Sequence, residues 1–300
     1  MSQDPLSQPP GAVAVWFLAA RPKTLWASIA PVVVGTAMAF GDGGFHGPAA
    51  LTALACSVLI QVATNFANDL FDFEKGADTE ARQGPLRVTQ AGLVTPGMMK
   101  RGILVVLLLT LLGGLYLIWR GGWPAVLIGV FSVACGMLYT GGPRPLGYMG
   151  LGDLFVLIFF GPVAVAGTYY VQALTVNPTV IVAGLAPGLL SVAILAVNNL
   201  RDADEDRRTG KRTLAVRFGP GFARAEYIIA VVAACLLPLL LYLTSGQRPY
   251  SVATVAVVVV ALPAFRRLFV LDGPLLNPVL AYTAKLLLLY SAVFSVGWVL

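Results

Sequence analysis

Long apolar stretches alternate with short polar segments along this chain, and the pattern predicts a bundle of membrane-spanning helices. Nine apolar stretches of roughly 20 residues follow one another, which is the length that an α-helix needs to cross the hydrocarbon core. The stretches are continuously apolar and do not alternate, which argues against a β-barrel. We therefore expect an all-α, polytopic membrane protein, a bundle of nine transmembrane helices in one domain that covers residues 1–300.

The predicted spans are residues 15–40, 49–71, 102–119, 122–140, 151–171, 178–200, 223–244, 249–271 and 278–300. For the first span there is an alternative, in which residues 12–22 lie at the membrane interface and the crossing begins near Thr24. Residues 1–12 are polar and rich in proline, and we expect them to be disordered.

Composition supports a membrane location. The chain is 58% hydrophobic and only 11% charged, whereas a soluble domain is about 25% charged. The net charge of +6 could indicate a nucleic-acid partner, but in a membrane chain it is better explained as loop charge that sets orientation. We expect no nucleic-acid partner.

Lysine and arginine are distributed unevenly between the two sides. With the N-terminus inside, 17 of the 20 basic residues fall in cytoplasmic segments, only Arg120 and Arg248 fall outside, and Lys285 lies within the last span. This positive-inside bias predicts a multi-pass protein of the inner (cytoplasmic) membrane, with a cytoplasmic N-terminus. Two long loops, residues 72–101 and 201–222, are then cytoplasmic, and we predict that they carry the catalytic groups.

Two acidic clusters stand at the ends of the second and sixth spans. They contain nine of the 14 acidic residues of the chain. The offset from Asn68 to Asn198 equals that from Asp72 to Asp202, 130 residues in both cases. The candidate metal ligands in the two clusters are Asn68, Asp69, Asp72, Asp78, Asp202 and Asp206.

The spacing within each cluster suits a divalent cation. If the helix continues through the first cluster, Asn68 and Asp72 are four residues apart and share a face, as Asp202 and Asp206 do in the second. Mg²⁺ prefers a few carboxylates completed by water and phosphate oxygens. The alternative is that these are ordinary solvated charges at helix ends, but carboxylates at a helix C-terminus oppose its dipole unless a cation compensates. We therefore predict Mg²⁺ as the cofactor, held by the two clusters around one polyanionic ligand.

Basic residues follow each cluster, and together with two metal sites they suit a diphosphate. The candidate substrate-binding residues are Lys211, Arg87, Arg144, Arg212, Tyr139, Arg21, Lys23 and Lys285. For each basic residue the alternative is a loop charge that only sets topology. Lys285 has a further alternative, in which its side chain snorkels from within the last span.

The motifs around these residues resemble those of the UbiA superfamily of intramembrane prenyltransferases, over residues 20 to 290. The two Asp motifs, Asn68 to Asp72 and Asp202 to Asp206, specify the superfamily. Segments 167–172 and 198–202 resemble its menaquinone-pathway branch, the 1,4-dihydroxy-2-naphthoate polyprenyltransferases. One position departs from the broader pattern. Residue 76 is glycine, and the acid appears two residues later at Asp78, as in that branch.

The resemblance implies a UbiA-type fold and a reaction. Asn68, Asp72 and Asp202 are expected to be catalytic, with Asp206 completing the magnesium ligands around the diphosphate of a polyprenyl diphosphate. The expected reaction transfers the polyprenyl group to 1,4-dihydroxy-2-naphthoate, with loss of CO₂ and diphosphate, to give demethylmenaquinone. The expected partners are therefore polyprenyl diphosphate, an aromatic acid and membrane lipid.

Two alternatives remain open from the sequence. The acceptor could be that of another branch of the superfamily, such as 4-hydroxybenzoate or homogentisate. A secondary transporter also fits a helical chain with acidic groups, but transporter acids lie near mid-bilayer, whereas these lie at helix ends.

Overall fold

The computed structural model describes residues 11–76 and 86–300, and all regular secondary structure in those ranges is helical, which confirms the all-α class. The α-helices in chain order are α1 (Ala12–Ala20), α2 (Pro22–Gly41), α3 (Gly47–Glu74), α4 (Pro96–Gly121), α5 (Trp123–Leu138), α6 (Gly152–Ile158), α7 (Ala164–Ala173), α8 (Pro178–Arg208), α9 (Leu214–Phe218), α10 (Pro220–Ser245), α11 (Ala256–Val270) and α12 (Asn277–Val299).

Eight helical segments of the described chain are long and apolar enough to cross a membrane. They contain α2, α3, α4, the continuous α6–α7 segment, α8, α10, α11 and α12. Helix α5 is equally apolar but has only 16 residues. With α5 included, the described part of the chain contains nine apolar helical segments in the predicted order, eight of them long enough to cross a membrane.

Proline begins four of these helices. Pro22, Pro96, Pro178 and Pro220 occupy the first position of α2, α4, α8 and α10. Proline has a fixed φ that suits the first helical turn, where its missing N–H group would have had no partner. The same residue type therefore marks where successive crossings begin.

Helix α1 is separate from the first crossing. Arg21 ends it in the left-handed conformation (φ 50°), and α2 begins at the next residue. The residue before a proline is disfavoured in the helical region, so the chain turns there. This agrees with the alternative in which the crossing begins after the Arg21–Pro22 break. Ala12 is already helical, contrary to the disorder predicted for residues 1–12, of which residues 1–10 lie outside the described ranges.

Both predicted catalytic loops are shorter than expected, because the preceding helices continue through the acidic clusters. Helix α3 extends to Glu74 and α8 to Arg208, and α4 already begins at Pro96. The second connection also contains the short helix α9. The clusters therefore stand on helical scaffolds, which hold side chains more rigidly than loops do.

Helix α8 is the centre of the bundle, and its apolar part is the most buried of the crossings. The break between α6 and α7, a π-turn at residues 159–163, packs tightly against it. A Cβ added at Gly161 would lie 2.8 Å from the carbonyl oxygen of Gly184, and one at Gly188 would meet the Leu157 carbonyl oxygen. Small residues let helix backbones approach closely within a membrane.

Two arginines tie helix ends together at the end of the bundle opposite the acidic clusters. Arg120 donates to the carbonyl oxygens of Val171 (2.7 Å) and Gln172 (2.8 Å) at the end of α7. Arg248 donates to the carbonyl oxygens of Gly41 and Trp298, at the ends of α2 and α12. These are the two basic residues that the orientation rule left outside, and both bond helix C-terminal carbonyls that lack intrahelical partners.

Candidate active site

Asp72, on the last turn of α3, lies at the centre of a cluster of hydrogen-bond donors. It is 1% exposed. Its Oδ2 accepts from Arg87 Nη2 at 2.8 Å, and its Oδ1 accepts from the Tyr148 hydroxyl at 2.9 Å. Lys211 Nζ lies 3.6 Å from the same Oδ1. Since Lys211 follows α8, this contact brings the loop behind the second cluster onto the first.

Tyr148 organises the basic groups around Asp72. The ammonium groups of Lys75 and Lys211 lie 5.0 and 4.9 Å from its ring centroid, within the range of a cation–π interaction. Lys75 also donates to the carbonyl oxygens of Thr140 (2.5 Å) and Gly142 (3.1 Å). Burial lowers the pKa of Lys75; the negative charge of Asp72 opposes this, and the positive charge of Lys211 adds a smaller lowering effect. Positive charge is thus concentrated beside a single carboxylate.

Asn68 lies one turn before Asp72 on α3. Its Oδ1 accepts a hydrogen bond from the Thr140 hydroxyl at 2.7 Å. This contact joins α3 to the loop that follows α5, in which Tyr139 and Tyr148 also lie. The loop therefore forms a third wall of the site. Its Gly- and Pro-rich sequence is compatible with that position and equally with a simple tight turn.

Asp69 was predicted to be a metal ligand, but its side chain binds backbone N–H groups instead. Its side chain is completely buried, and its two oxygens accept the backbone N–H groups of Val88 (3.1 Å) and Thr89 (3.0 Å). Both carboxylate oxygens are therefore engaged in anchoring the chain segment that carries Arg87. On this geometry we do not retain Asp69 among the metal ligands.

In the second cluster a buried arginine holds the ligand side chains. Arg201 donates to both oxygens of Asp202, at 2.7 and 2.6 Å. It also donates to Asn198 Oδ1 (2.9 Å) and Asn277 Oδ1 (2.8 Å). Arg201 was not among the predicted site residues, because a basic residue next to an acidic helix end is also typical of topology-setting charge.

Tyr139 connects the two clusters. Burial raises its pKa above the usual value for tyrosine, and the nearby carboxylates of Asp153, Asp206 and Asp72 raise it further. A Cβ added at Gly152 would lie only 2.9 Å from the Tyr139 hydroxyl oxygen, so glycine at that position leaves room for the hydroxyl. Carboxylates from both acidic clusters, Asp72 and Asp206, are therefore close enough to act on Tyr139.

A cavity of about 770 Å³ extends from this polar end into the apolar bundle. Asn68 and Tyr139 line it at the polar end, and Ala53 and Ile118 line it far along α3 and α4. Along α3 alone, the 15 residues from Ala53 to Asn68 span about 22 Å at the helical rise. Most of the remaining wall is apolar or aromatic, with a few polar side chains such as Gln61 and Thr64, so the cavity suits a long hydrocarbon.

Several predicted substrate-binding residues lie elsewhere. Lys285 is exposed on α12, on the side opposite the buried Thr283 and Leu287, so it lies outside the bundle core, as snorkelling would require. The side chains of Lys23, Arg144 and Arg212 are exposed, and among the described contacts none joins them to Asp72. Arg21 is half-buried at the turn between α1 and α2. Asp78, the remaining predicted ligand, lies outside the described residues.

Within residues 11–76 and 86–300, no three His, Cys, Asp or Glu side chains form a ready-made metal site. The candidate donors are instead one carboxylate and one amide oxygen in the first half, and Asn198, Asp202 and Asp206 in the second. Hard oxygen ligands in small number fit Mg²⁺, which keeps waters and takes phosphate oxygens from its substrate. The chemistry of the residues therefore fits magnesium bound together with a phosphate compound.

Residues 28–296 match the UbiA prenyltransferase family. A Haemophilus influenzae protein named 1,4-dihydroxy-2-naphthoate octaprenyltransferase is 35% identical over 94% of this chain and 95% of its own length. Proteins of the same name from Escherichia coli and Mycobacterium tuberculosis are 42% and 40% identical. They align with 74% and 77% of this chain, and with 72% and 79% of their own lengths.

Solved structures show the same architecture. A UbiA homolog from Aeropyrum pernix K1 has a TM-score of 0.70 at 16% identity, over 92% of this chain and 97% of its own. A UbiA homolog from Archaeoglobus fulgidus bound to GPP and Mg²⁺ has a TM-score of 0.65 at 14% identity, over 94% and 99%. At these identities the likeness establishes the fold.

Proposed function

Because the chain belongs to the UbiA prenyltransferase family, we propose that it transfers a polyprenyl group from polyprenyl diphosphate to 1,4-dihydroxy-2-naphthoate. The observation that carries the proposal is the contact of Lys211 with Asp72, which joins the two acidic clusters around one basic pocket. A pocket with carboxylates on two sides and three basic side chains between them suits a diphosphate with its magnesium ions.

The residues divide into metal-holding and anion-holding groups. Asn68 and Asp72 in the first half, with Asp202 and Asp206 in the second, would hold Mg²⁺, which when bound neutralises charge on the diphosphate. Arg87, Lys75 and Lys211 would bind diphosphate oxygens and stabilise the negative charge that grows as the diphosphate leaves. The Tyr148 hydroxyl and ring keep Asp72 and the two lysines in place.

The cavity would hold the polyprenyl chain. When the allylic C–O bond breaks, its electron pair leaves with the diphosphate, and the carbon end becomes positive. Phe155 and Phe159 stack at 6.1 Å between ring centroids, and both line the cavity near Tyr139. Aromatic faces attract a cation, so these rings are our candidates for stabilising the allylic cation.

The aromatic acid completes the reaction. The ring carbon that carries the carboxylate forms a C–C bond to the allylic carbon. Its bond to the carboxylate then breaks, CO₂ departs, and the bonding electrons return to the ring. The product is demethylmenaquinone in its reduced form. This choice of acceptor follows the names of the similar proteins from Haemophilus influenzae and Escherichia coli. The acceptors 4-hydroxybenzoate and homogentisate are the competing choices.

We place the acidic end of the bundle on the cytoplasmic side of the inner membrane, because 17 of 20 basic residues then lie inside. In intact cells, a cysteine at exposed Arg207 should resist a membrane-impermeant maleimide, whereas one at exposed Tyr250, at the opposite end, should react. Labelling at Arg207→Cys alone would reverse the orientation.

The activity is tested with the purified protein in nanodiscs, Mg²⁺, farnesyl diphosphate and a panel of aromatic acids. We expect prenylated naphthoquinol and release of CO₂ from carboxyl-labelled 1,4-dihydroxy-2-naphthoate. The rate with 4-hydroxybenzoate should be lower by on the order of 10²-fold, because its single ring buries less apolar area. Equal rates with both acids, or a product that keeps its carboxylate, would overturn the acceptor assignment and leave the prenyl transfer standing.

A further inference from the structure

Arg201 makes a set of contacts that its place in the helix does not explain. Neighbouring side chains on a helix point in different directions, so Arg201 and Asp202 would not ordinarily face each other. Here the guanidinium turns back to hold both oxygens of Asp202, and it also bonds Asn198 one turn earlier. The arginine side chain is only 2% exposed.

The fourth contact comes from another helix. Asn277, the first residue of α12, accepts from Arg201 Nη1 at 2.8 Å. The preceding turn is anchored by Leu276, which is completely buried in the main core. Because a guanidinium is planar and rigid, an acceptor at Nη1 also sets the direction of Nη2 and Nε, which hold Asn198 and Asp202.

We propose that Arg201, held by Asn277, is a positioning residue that presents the oxygens of Asn198 and Asp202 to the metal. The inference rests on the function proposed above and extends it to a residue of α12 that is far from the acidic clusters in sequence. Each carboxylate or amide oxygen has more than one lone pair, so an oxygen that accepts from Arg201 can still bind a cation. Partners that orient metal ligands in this way raise metal affinity without touching the metal.

Arg201 could instead serve only to neutralise the charge of Asp202. The geometry shows that this role does not account for all of its contacts. The contact to Asp202 alone would pair the charges. The additional bonds to Asn198 and Asn277 carry no neutralising charge but fix two directions. If the Arg201–Asp202 ion pair were purely structural, mutation of its supporting contacts would lower the stability of the protein but leave the metal affinity of the folded protein unchanged.

The test measures Mn²⁺ binding by electron paramagnetic resonance, with inorganic pyrophosphate present, in purified full-length protein. Asn277→Leu has a similar volume but no acceptor, and we expect its affinity for Mn²⁺ to fall about 10- to 100-fold, as is usual when such partners are removed. Asn277→Asp keeps an acceptor for Nη1 and should stay within a few-fold of the wild type. Arg201→Lys keeps the charge but loses the planar fork, and should resemble Asn277→Leu.

Tyr227→Phe is the matched control. It removes a buried hydrogen bond to Thr283 (2.8 Å), and so disturbs the packing of α12 without touching the site. Its affinity for Mn²⁺ should be that of the wild type. In turnover, Asn277→Leu should need more Mg²⁺ but recover its rate at saturating Mg²⁺.

Wild-type affinity in Asn277→Leu would overturn the inference, as would an equal loss in Tyr227→Phe. If Arg201→Lys does not fold, the comparison of Asn277→Leu with Asn277→Asp still tests whether the Asn277 contact affects the affinity for Mn²⁺. Failure of the wild type to bind Mn²⁺ with pyrophosphate would remove both this inference and the proposed function. Normal wild-type binding with an unaffected Asn277→Leu would remove the inference alone.

Discussion

Replacing Asp69 by asparagine separates two roles that the sequence could not distinguish. As a metal ligand, Asp69 would act on the cation directly. As the structure places it, the carboxylate holds the backbone N–H groups of Val88 and Thr89, next to Arg87. Arg87 in turn bonds Asp72, so under the proposed function the anchor would act on substrate binding through the position of that arginine.

The magnitude follows from the two hydrogen bonds. An asparagine side chain has one acceptor oxygen, so one of the two N–H groups would face another donor. Losing a hydrogen bond to a charged group costs about 1.5–3 kcal/mol, and leaving a buried N–H unpaired costs about 1–3 kcal/mol. A change of about 3 kcal/mol in favour of a displaced segment corresponds to roughly a 10²-fold loss in apparent affinity.

The assay is steady-state turnover with varied farnesyl diphosphate at several fixed Mg²⁺ concentrations. For Asp69→Asn we expect KM for farnesyl diphosphate to rise by about 10²-fold, with little recovery when Mg²⁺ is raised. Thr89→Val is the control. It keeps the backbone N–H that Asp69 accepts and removes a buried hydroxyl that has no partner among the described residues. Its KM should be unchanged.

A loss of turnover in Asp69→Asn that excess Mg²⁺ reverses would refute this reasoning and restore Asp69 as a metal ligand. An unchanged KM would show that the segment keeps its position without the anchor. Circular dichroism should show wild-type helix content in both variants, because the affected contacts lie in a turn.

Three further outcomes are expected. Chelator should abolish turnover and added Mg²⁺ should restore it, because the clusters offer oxygen and no soft ligands; full activity in excess chelator would contradict the metal assignment. Asp72→Asn and Asp202→Asn should each abolish turnover in folded protein, since each anchors one half of the site; near-normal rates at equal expression would return that cluster to a solvated helix end. Lys75→Gln should raise KM for farnesyl diphosphate by about 10-fold or more by losing one charge-assisted contact, whereas Lys285→Gln on the outer face should match the wild type, and the reverse result would relocate the anion site.

The hydrophobic pattern alone was enough for the class of the protein and the order of its crossings. Burying some twenty apolar residues in lipid is a local property of each segment, so no knowledge of neighbouring segments is needed. The break at Arg21–Pro22 was likewise visible, since proline constrains the residue before it. The helix ends were less accurate, because polar residues such as those after Asp72 and Asp202 are compatible with either a helix or a loop.

The sequence also provided a set of candidate metal ligands, through the repeated Asn and Asp spacing. Helical periodicity put Asn68 and Asp72 on one face, and the repeat at Asn198 and Asp202 pointed to a second half. Both clusters lie at one end of the bundle, because each ends a helix that runs in the same direction.

Only the tertiary structure decided where each side chain points once the helices had packed. Asp69 and Asp72 are both acidic, but one meets backbone N–H groups and the other meets Arg87, Tyr148 and Lys211. Arg201 depends on an asparagine 76 residues away. These roles arise from contacts between segments that are distant along the chain, and the short-range spacing that identifies a helix face carries no information about its partner.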